Sequence, residues 1–285
     1  MGYTKPKKIT EVDLCNAELP KHGKTYTVIP HKSIIDYTDN LLRENNFVVK
    51  NKKFRSNAGA KVAQGIYEIV STHDDDLGMM FAWTNSYDKS TRFQCGIGAY
   101  VFVCNNGMIH GDMASYARKH TGTAHLDVQT QIGSQVKYAH KHFNQLIQDK
   151  EQFKSQSLTK KNQSELLGRL FIEEEIIDAT QMSTVKREMN KPSFNYNCVS
   201  DNAWSFYNHV THALKSSHPR SWMSNQQKFH RFMTTELLSH LNIKNRDLSA
   251  YLLKNYKLQP KDNIYDGNTN DLELHEYDTF IDFKI

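Results

Sequence analysis

Four strand-like segments lie close together between residues 47 and 104 of this 285-residue chain. The gaps between them are short and hold Gly, Asn and Asp, the residues that turns favour. A parallel crossover needs about a dozen residues or more, so gaps of this length predict hairpins. The sequence therefore predicts an antiparallel meander made of Phe47 to Phe54, Ala63 to Ser71, Leu77 to Thr84 and Arg92 to Cys104.

The last predicted strand has two different faces. Alternate residues give one apolar face, which holds Phe93, Cys95, Ile97, Ala99, Val101 and Val103. The other face contains Gly96, Gly98 and Tyr100, and the two glycines would let a sugar-phosphate chain come close to the backbone. This pattern predicts a central strand that packs on one side and is open to a ligand on the other.

Helical periodicity replaces the strand pattern after residue 127. Ile132, Val136, Phe143 and Ile147 recur at spacings of four, seven and four, which predicts one long helix on the sheet. Other helices are predicted at Lys32 to Asn46, Lys160 to Thr180, Asp201 to Ser216, Asn225 to Leu241 and Arg246 to Tyr256. The predicted fold class is α+β, an antiparallel β-meander covered by helices, with a helical C-terminal half.

Composition divides the chain into four predicted regions. They are a basic N-terminal arm (1–27), a helix with the sheet and the long helix (28–160), a helical region (161–260) and an acidic tail (261–285). The net charge is +5, but residues 262–285 hold seven acids and one lysine, a net −6, which leaves +11 on the other 261 residues. A basic body suits phosphate binding, and an acidic tail suits regulation of that binding or recruitment of a protein partner.

Cations and aromatic rings alternate along the predicted sheet. Single-stranded nucleic acids need this combination, because cations neutralise phosphates and bases stack on rings. The candidate nucleic-acid-binding residues are Lys50, Lys52, Lys53, Arg55, Lys61, Tyr67, Trp83, Lys89, Arg92, Tyr100, Lys137 and Lys141. The helical half adds basic residues that could extend the same phosphate track, namely His218-Pro-Arg-Ser-Trp222, Lys228, His230 and Arg231. The alternative for any one of these rings is a place in the core.

A second candidate site consists of histidines and aspartates between residues 110 and 127. A metal ion held by such side chains could activate water against a phosphodiester, as in a metal-dependent nuclease. The candidate ligands are His110, Asp112, His120, His125 and Asp127. Their spacing matches no strong ligand motif, and hydrogen bonds within a polar loop are the alternative explanation.

Two motifs in the chain resemble one known family. The first is Asn85-Ser-x-Asp-x-Ser90, followed by an arginine-led strand and then Cys104-x-Asn-Gly-Met108. The second is Trp204-x-x-Tyr-Asn-x-Val-Thr211. Together with Pro30-His31, they resemble the phage/plasmid-like proteins catalogued as domain of unknown function 932, over most of residues 28–235. The resemblance implies phage or plasmid biology and no particular reaction. This family usually has His where the chain has Tyr87.

These features predict a non-enzymatic single-stranded nucleic-acid-binding protein of phage or plasmid type. Strand annealing during replication or recombination is one role that such a protein could have. The alternatives are a metal-dependent nuclease-like enzyme and a phage protein that binds a host factor.

Other expectations concern cofactors, partners and location. The chain has no GxxxxGK[ST] or GxGxxG motif and its four cysteines have no CxxC spacing, so no cofactor is predicted. No apolar run approaches the roughly 20 residues of a membrane span, which predicts a soluble, cytoplasmic protein without a membrane partner. The expected partners are single-stranded nucleic acid and, through the acidic tail, a protein; a homo-oligomer stays open.

Overall fold

The computed structural model describes residues 7–21, 23, 26–71, 74–109, 115–196 and 198–240. Residues 1–233 form one compact unit, and of the second unit, 234–285, only the first seven residues are described. The predicted helix from Arg246 to Tyr256 and the acidic tail therefore lie outside the described residues. In the described part of the chain, no helix is both long and apolar enough to cross a membrane.

Seven strands in the described ranges form one antiparallel sheet. They are β1 (Lys7–Lys8), β2 (Val49–Ser56), β3 (Val62–Ile69), β4 (Leu77–Ser86), β5 (Phe93–Val101), β6 (Gly107–Met108) and β7 (Ser115–Arg118). Strands β1 to β6 pair in chain order, and β7 pairs with the first half of β5. The predicted antiparallel meander is confirmed.

Eight α-helices accompany the sheet within the same described ranges. They are α1 (Glu11–Cys15), α2 (His31–Glu44), α3 (Ala124–Lys137), α4 (Ala139–Ser155), α5 (Lys160–Ile172), α6 (Ala179–Asn190), α7 (Ala203–Leu214) and α8 (Pro219–His240). The described C-terminal half is helical, which confirms the predicted α+β class.

Three predicted helix boundaries were wrong. The long helix is two helices, because the backbone at Tyr138 (φ −98°, ψ 13°) separates α3, which packs on α2 and β5, from α4, which packs on β5 and α7. The helix predicted from residue 160 to 180 ends at Ile172, and α6 starts anew with a capping box between Asp178 and Gln181. The helix predicted to begin at Asn225 is α8, which begins at Pro219, a residue suited to the first helical position.

The sheet is buried on both faces. We call one side of the sheet the first face; it carries Tyr67, Phe81 and Ile97, which are paired in register. Helix α2 lies over this face, with the His31 ring 6.2 Å from the Trp83 ring. The opposite side is the second face. There Met80, Ala82 and Tyr100 form an apolar cluster with Trp222 and Met223 of α8. The prediction that the second face is open to a ligand is therefore wrong where α8 covers it.

Two aromatic rings lie on glycines of the neighbouring strand. Trp83 is the register partner of Gly65, and Tyr100 is the register partner of Gly78. A Cβ atom added to either glycine would overlap the partner's ring. Each ring therefore fills the space that the missing side chain leaves, as in cross-strand glycine–aromatic pairs.

We expect Gly65→Ala to destabilise the protein by about 1 to 3 kcal/mol, because the new methyl group overlaps the buried Trp83 ring. Gly168→Ala is the matched control. Nothing lies within 4 Å of a Cβ atom at Gly168 in α5, so that change should stabilise by about 0.5 to 1 kcal/mol. Chemical unfolding of both variants measures the two effects, and effects of the same sign would contradict the account.

Candidate nucleic-acid interface

Two hairpin turns lie side by side at one end of the sheet, which we call the turn end. The β2–β3 and β4–β5 turns meet there because Val62 pairs with Ser86, and the Tyr87 N–H donates to the carbonyl of Lys61 (2.6 Å). The side chains of Lys61, Lys89 and Arg92 belong to these turns or to the residues beside them, and all three are exposed. The turn end therefore brings together three of the predicted phosphate contacts.

Helix α8 begins against the same end of the sheet. Thr84 Oγ1 donates a hydrogen bond to the carbonyl of Pro219 (3.2 Å), and Thr91 Oγ1 donates to the carbonyl of Arg220 (3.5 Å). The side chain of Arg220 is exposed. The fold thus adds a cation from residue 220 to those of the two turns.

Arg55 is held by neutral groups on the second face. Its Nε and Nη2 atoms donate to Oε1 of Gln64 (2.9 and 2.6 Å), and Nη1 donates to the carbonyl of Lys215 (2.6 Å). Burial lowers the pKa of Arg55 to about 10, so the group stays charged at neutral pH. Among the described residues, no carboxylate pairs with it. Three of the five guanidinium N–H groups are used, and two remain for a ligand.

Lys215 and His218 lie beside Arg55. The Lys215 ammonium donates to the carbonyl of Cys104, and burial lowers the pKa of Lys215, with the charge of Lys53 adding to the effect. Burial also lowers the pKa of His218, and the charges of Arg220 and Arg55 lower it further. Lys53 therefore lies within electrostatic range of Lys215, and Arg55 and Arg220 lie within range of His218, which is neutral at pH 7.

We call this set of residues the basic surface. It consists of Lys53, Arg55, Lys61, Lys89, Arg92, Lys215, His218 and Arg220. Three acids lie close to it: Glu68, whose carboxylate pairs with Lys53, Asp88, which is exposed in the β4–β5 turn, and Glu188, whose charge acts on Lys215. Positive charge therefore predominates at the turn end.

Four of the predicted cations lie elsewhere. Lys52 projects from the first face and pairs with Asp39 (2.6 Å) and Glu11 (3.3 Å). Lys50 is exposed near the opposite end of β2. The remaining two, Lys137 and Lys141, are exposed on α3 and α4. The structure therefore does not place these four lysines in the basic surface.

The three predicted stacking rings are inside the protein. Tyr67 and Trp83 have no exposed surface, and Tyr100 is 5% exposed. The space at Gly98 is also filled, because an added Cβ atom would lie 2.6 Å from the carbonyl oxygen of Met108 in β6. The predicted stacking roles and the predicted approach of a nucleic-acid chain at Gly98 do not fit this structure.

A chain of buried hydrogen bonds supports the turn end from the first face. Asn85 Nδ2 donates to the carbonyl of Ile29 (2.8 Å) and lies 3.0 Å from Nδ1 of His31. Asn85 Oδ1 lies 2.7 Å from Nε2 of His120, and His31 Nε2 lies 2.9 Å from the carbonyl of Ala60. Because carbonyl oxygens only accept, both histidines carry a proton on Nε2, and His31 is neutral because its Nδ1 accepts from the Asn85 amide.

Tyr87 takes part in the same support. Its hydroxyl oxygen accepts a hydrogen bond from the backbone N–H of His31 (2.7 Å), the first residue of α2. The two rings stack at 3.9 Å. Helix α2 has no side-chain cap from its own N-cap residue, Pro30, so Tyr87 satisfies one of its free N–H groups.

The second sequence motif, Trp204 to Thr211, lies on α7 and holds the turn that follows β5. Asn106 Nδ2 donates to the carbonyl of Asn208 (2.9 Å) and to its Oδ1 atom (3.2 Å), and Asn208 Nδ2 donates to the carbonyl of Trp204 (3.0 Å). These asparagines are fully buried. The carbonyl of Cys104 in the same turn accepts a hydrogen bond from the Lys215 ammonium. The motif therefore also positions one cation of the basic surface.

A family model described as domain of unknown function (DUF932) matches residues 18–236. The chain belongs to the DUF932 family. Its two sequence motifs are the segments that form the turn end and attach α7 to the sheet. No match was found among curated proteins or among solved structures.

The alternative metal site of this DUF932 protein is only partly described. His110 and Asp112 lie outside the described residues. His120 is engaged by Asn85, His125 is exposed, and Asp127 Oδ2 accepts a hydrogen bond from Thr123 (3.5 Å). In the ranges that the structure describes, no three His, Cys, Asp or Glu residues are grouped so as to hold a metal ion.

Sequence reasoning missed Gln64 and Lys215. The first could have been found, because a hairpin turning at residues 57–61 places Gln64 opposite Arg55. Lys215 could not, because 160 positions separate it from the Arg55 side chain that it contacts.

We expect the stability of the protein to fall below pH 6.5. Burial lowers the pKa of both His31 and His120 from 6.5 to about 4, so the unfolded chain binds protons that the folded chain does not bind between these values. Each histidine should then cost about 2 kcal/mol of stability between about pH 7.5 and about pH 5. Urea unfolding across this pH range measures the loss.

His120→Gln tests the assignment. Glutamine keeps a donor for Asn85 but does not titrate, so the pH-dependent loss should shrink by about 2 kcal/mol. His125→Gln is the control, because His125 is exposed and its replacement should leave the loss unchanged. An equal pH dependence in wild type and His120→Gln would contradict the buried neutral state.

Proposed function

We propose that this DUF932 protein binds single-stranded nucleic acid through the basic surface at the turn end of the sheet. The observation that carries the proposal is the environment of Arg55. Its guanidinium group is largely removed from water and is held by two neutral acceptors, and the described residues leave two of its N–H donors unused. A largely buried cation for which the described residues supply no counter-charge favours the binding of an external anion.

The chemistry of the surface favours a phosphodiester as that anion. A guanidinium fork matches two phosphate oxygens, and a charge-assisted pair of this kind is stronger than a neutral hydrogen bond. The other cations come from both hairpin turns and from the start of α8, so they spread along the turn end. A row of cations suits a chain of phosphates better than a single small anion.

Phe194 supports the preference for a single strand. Its ring lies 5.7 Å from the Lys215 ammonium and is partly exposed in the loop between α6 and α7. A ring beside a phosphate-binding cation can stack on an unpaired base, which a duplex does not offer. Phe194 thus replaces the three buried rings as the proposed stacking residue.

The proposed biological setting is phage or plasmid replication or recombination, with strand annealing as the candidate activity. Its support is the family resemblance together with the basic body of the chain. Binding to single strands is the property on which any such role depends.

We expect the wild-type protein to bind a labelled single-stranded DNA of about 30 nucleotides with an affinity that falls about 100-fold between about 50 and 200 mM salt, the dependence for roughly five phosphate contacts. Arg55→Ala and Arg220→Ala should each weaken binding about tenfold and reduce the salt dependence, because each removes one contact. Fluorescence anisotropy measures both quantities. Phe194→Ala should weaken binding without changing the salt dependence.

Lys161→Ala is the control for lost charge. Lys161 is exposed on α5, which follows α4 in the chain. The ion pair between Lys154 and Asp76 joins the end of α4 to the end of the sheet opposite the turn end. Binding by this variant should equal that of the wild type. No binding by the wild type at low salt, or an equal loss in Lys161→Ala and Arg55→Ala, would overturn the proposal.

A further inference from the structure

Gln64 is the residue that fixes the guanidinium of Arg55. It lies on β3 directly opposite Arg55 and is fully buried. Its Oε1 atom accepts both hydrogen bonds of one guanidinium edge, so the orientation of the amide is determined: the oxygen must face Arg55. The Nε2 atom then points away, and no described protein atom accepts a hydrogen bond from it.

A glutamate would suit the folded state better at this position. Glutamate has the same shape and the same acceptor oxygen, but it has no amide N–H groups to leave unpaired. It would also give the buried guanidinium a counter-charge, which the protein does not supply within the described residues. Position 64 therefore carries a residue that forgoes two sources of stability.

Carboxylates pair with other partly or fully buried cations, whereas the Lys215 ammonium donates to a carbonyl. Lys150 is paired with Asp74 (2.6 Å) and Asp76 (3.4 Å), and Lys52 is paired with Asp39 (2.6 Å). Arg55 differs from these lysines, because both of its acceptors, the Gln64 amide and the Lys215 carbonyl, are neutral. The difference indicates that the charge of Arg55 is left available rather than neutralised.

We propose that Gln64 is the positioning residue of the phosphate contact, which holds Arg55 in place through a neutral amide so that its positive charge remains for a phosphate of the ligand. This inference rests on the proposed function and names the residue that sets the strength of its central contact. It also implies that glutamine at position 64 lowers the stability of the fold and strengthens binding of the ligand.

The test compares Gln64→Glu with the wild type in two measurements. We expect the midpoint of thermal unfolding to rise by about 2 to 4 °C, because the buried ion pair forms and the unpaired amide is lost. We expect affinity for the labelled single-stranded DNA to fall about tenfold and the salt dependence to weaken by about one phosphate contact. If Gln64 only held Arg55 in place, affinity would not fall, because the carboxylate would still hold Arg55.

Two further variants complete the test. Gln129→Glu makes the same change of net charge at an exposed position of α3 and should leave affinity and salt dependence at wild-type values. Gln64→Met removes the acceptor but keeps the charge of Arg55, so affinity should fall about threefold with an unchanged salt dependence. Gln64→Met also keeps the proposal testable if Gln64→Glu does not fold.

Inorganic polyphosphate separates this inference from the proposed function. If the wild type binds single-stranded DNA but Gln64→Glu binds it equally well, the role of Gln64 is wrong and the proposed function stands. If the wild type does not bind DNA but binds polyphosphate, and Gln64→Glu weakens that binding, the role of Gln64 stands and the proposed nucleic-acid function is wrong. Binding of neither polyanion, or equal polyphosphate binding by both proteins, overturns the role of Gln64.

Discussion

The burial of strand β4 on both faces is the constraint on which the rest of the structure depends. All ten of its residues are buried, although three consecutive ones, Thr84, Asn85 and Ser86, are polar. A buried polar group must find a partner inside the protein. These three side chains donate to carbonyls of Pro219, Ile29 and Thr91, respectively. The polar end of β4 therefore joins α8, the segment before α2 and the adjacent turn.

This joint explains why positive charge collects at the turn end. The hydrogen bonds of Thr84 to Pro219 and of Ser86 to Thr91 fix the start of α8 and the β4–β5 turn. At the opposite end of the sheet the chain behaves differently, because Lys150 and Lys154 are paired with Asp74 and Asp76. Carboxylates balance Lys150 and Lys154 at that end, whereas in the basic surface, where Glu68 pairs with Lys53, cations outnumber the nearby acids among the described residues, which is the expected arrangement for an anion-binding surface.

The strands were predictable because local patterns determine them, whereas the covering of the second face was not. Periodicity and turn residues indicate the meander, and the register of a hairpin follows from its turn. The position of α8 depends on contacts such as that between Thr84 and Pro219, which are 135 positions apart. The rings of Trp83 and Tyr100 were misassigned for a related reason: register pairs each with a glycine, and a ring that covers a glycine belongs to the core.

The first family motif is better explained by the shape of the turn end than by catalysis. Asn85 lies at the centre of the buried hydrogen bonds, Ser86 Oγ donates to the carbonyl of Thr91 (2.8 Å), and the Asp88 carboxylate accepts the N–H of Ser90 (2.9 Å) as in an Asx-turn. Tyr87, where the resembling family usually has His, caps α2 with its hydroxyl oxygen. Each of these side chains is used to hold backbone, so the chemistry of binding falls to the cations that the turn presents.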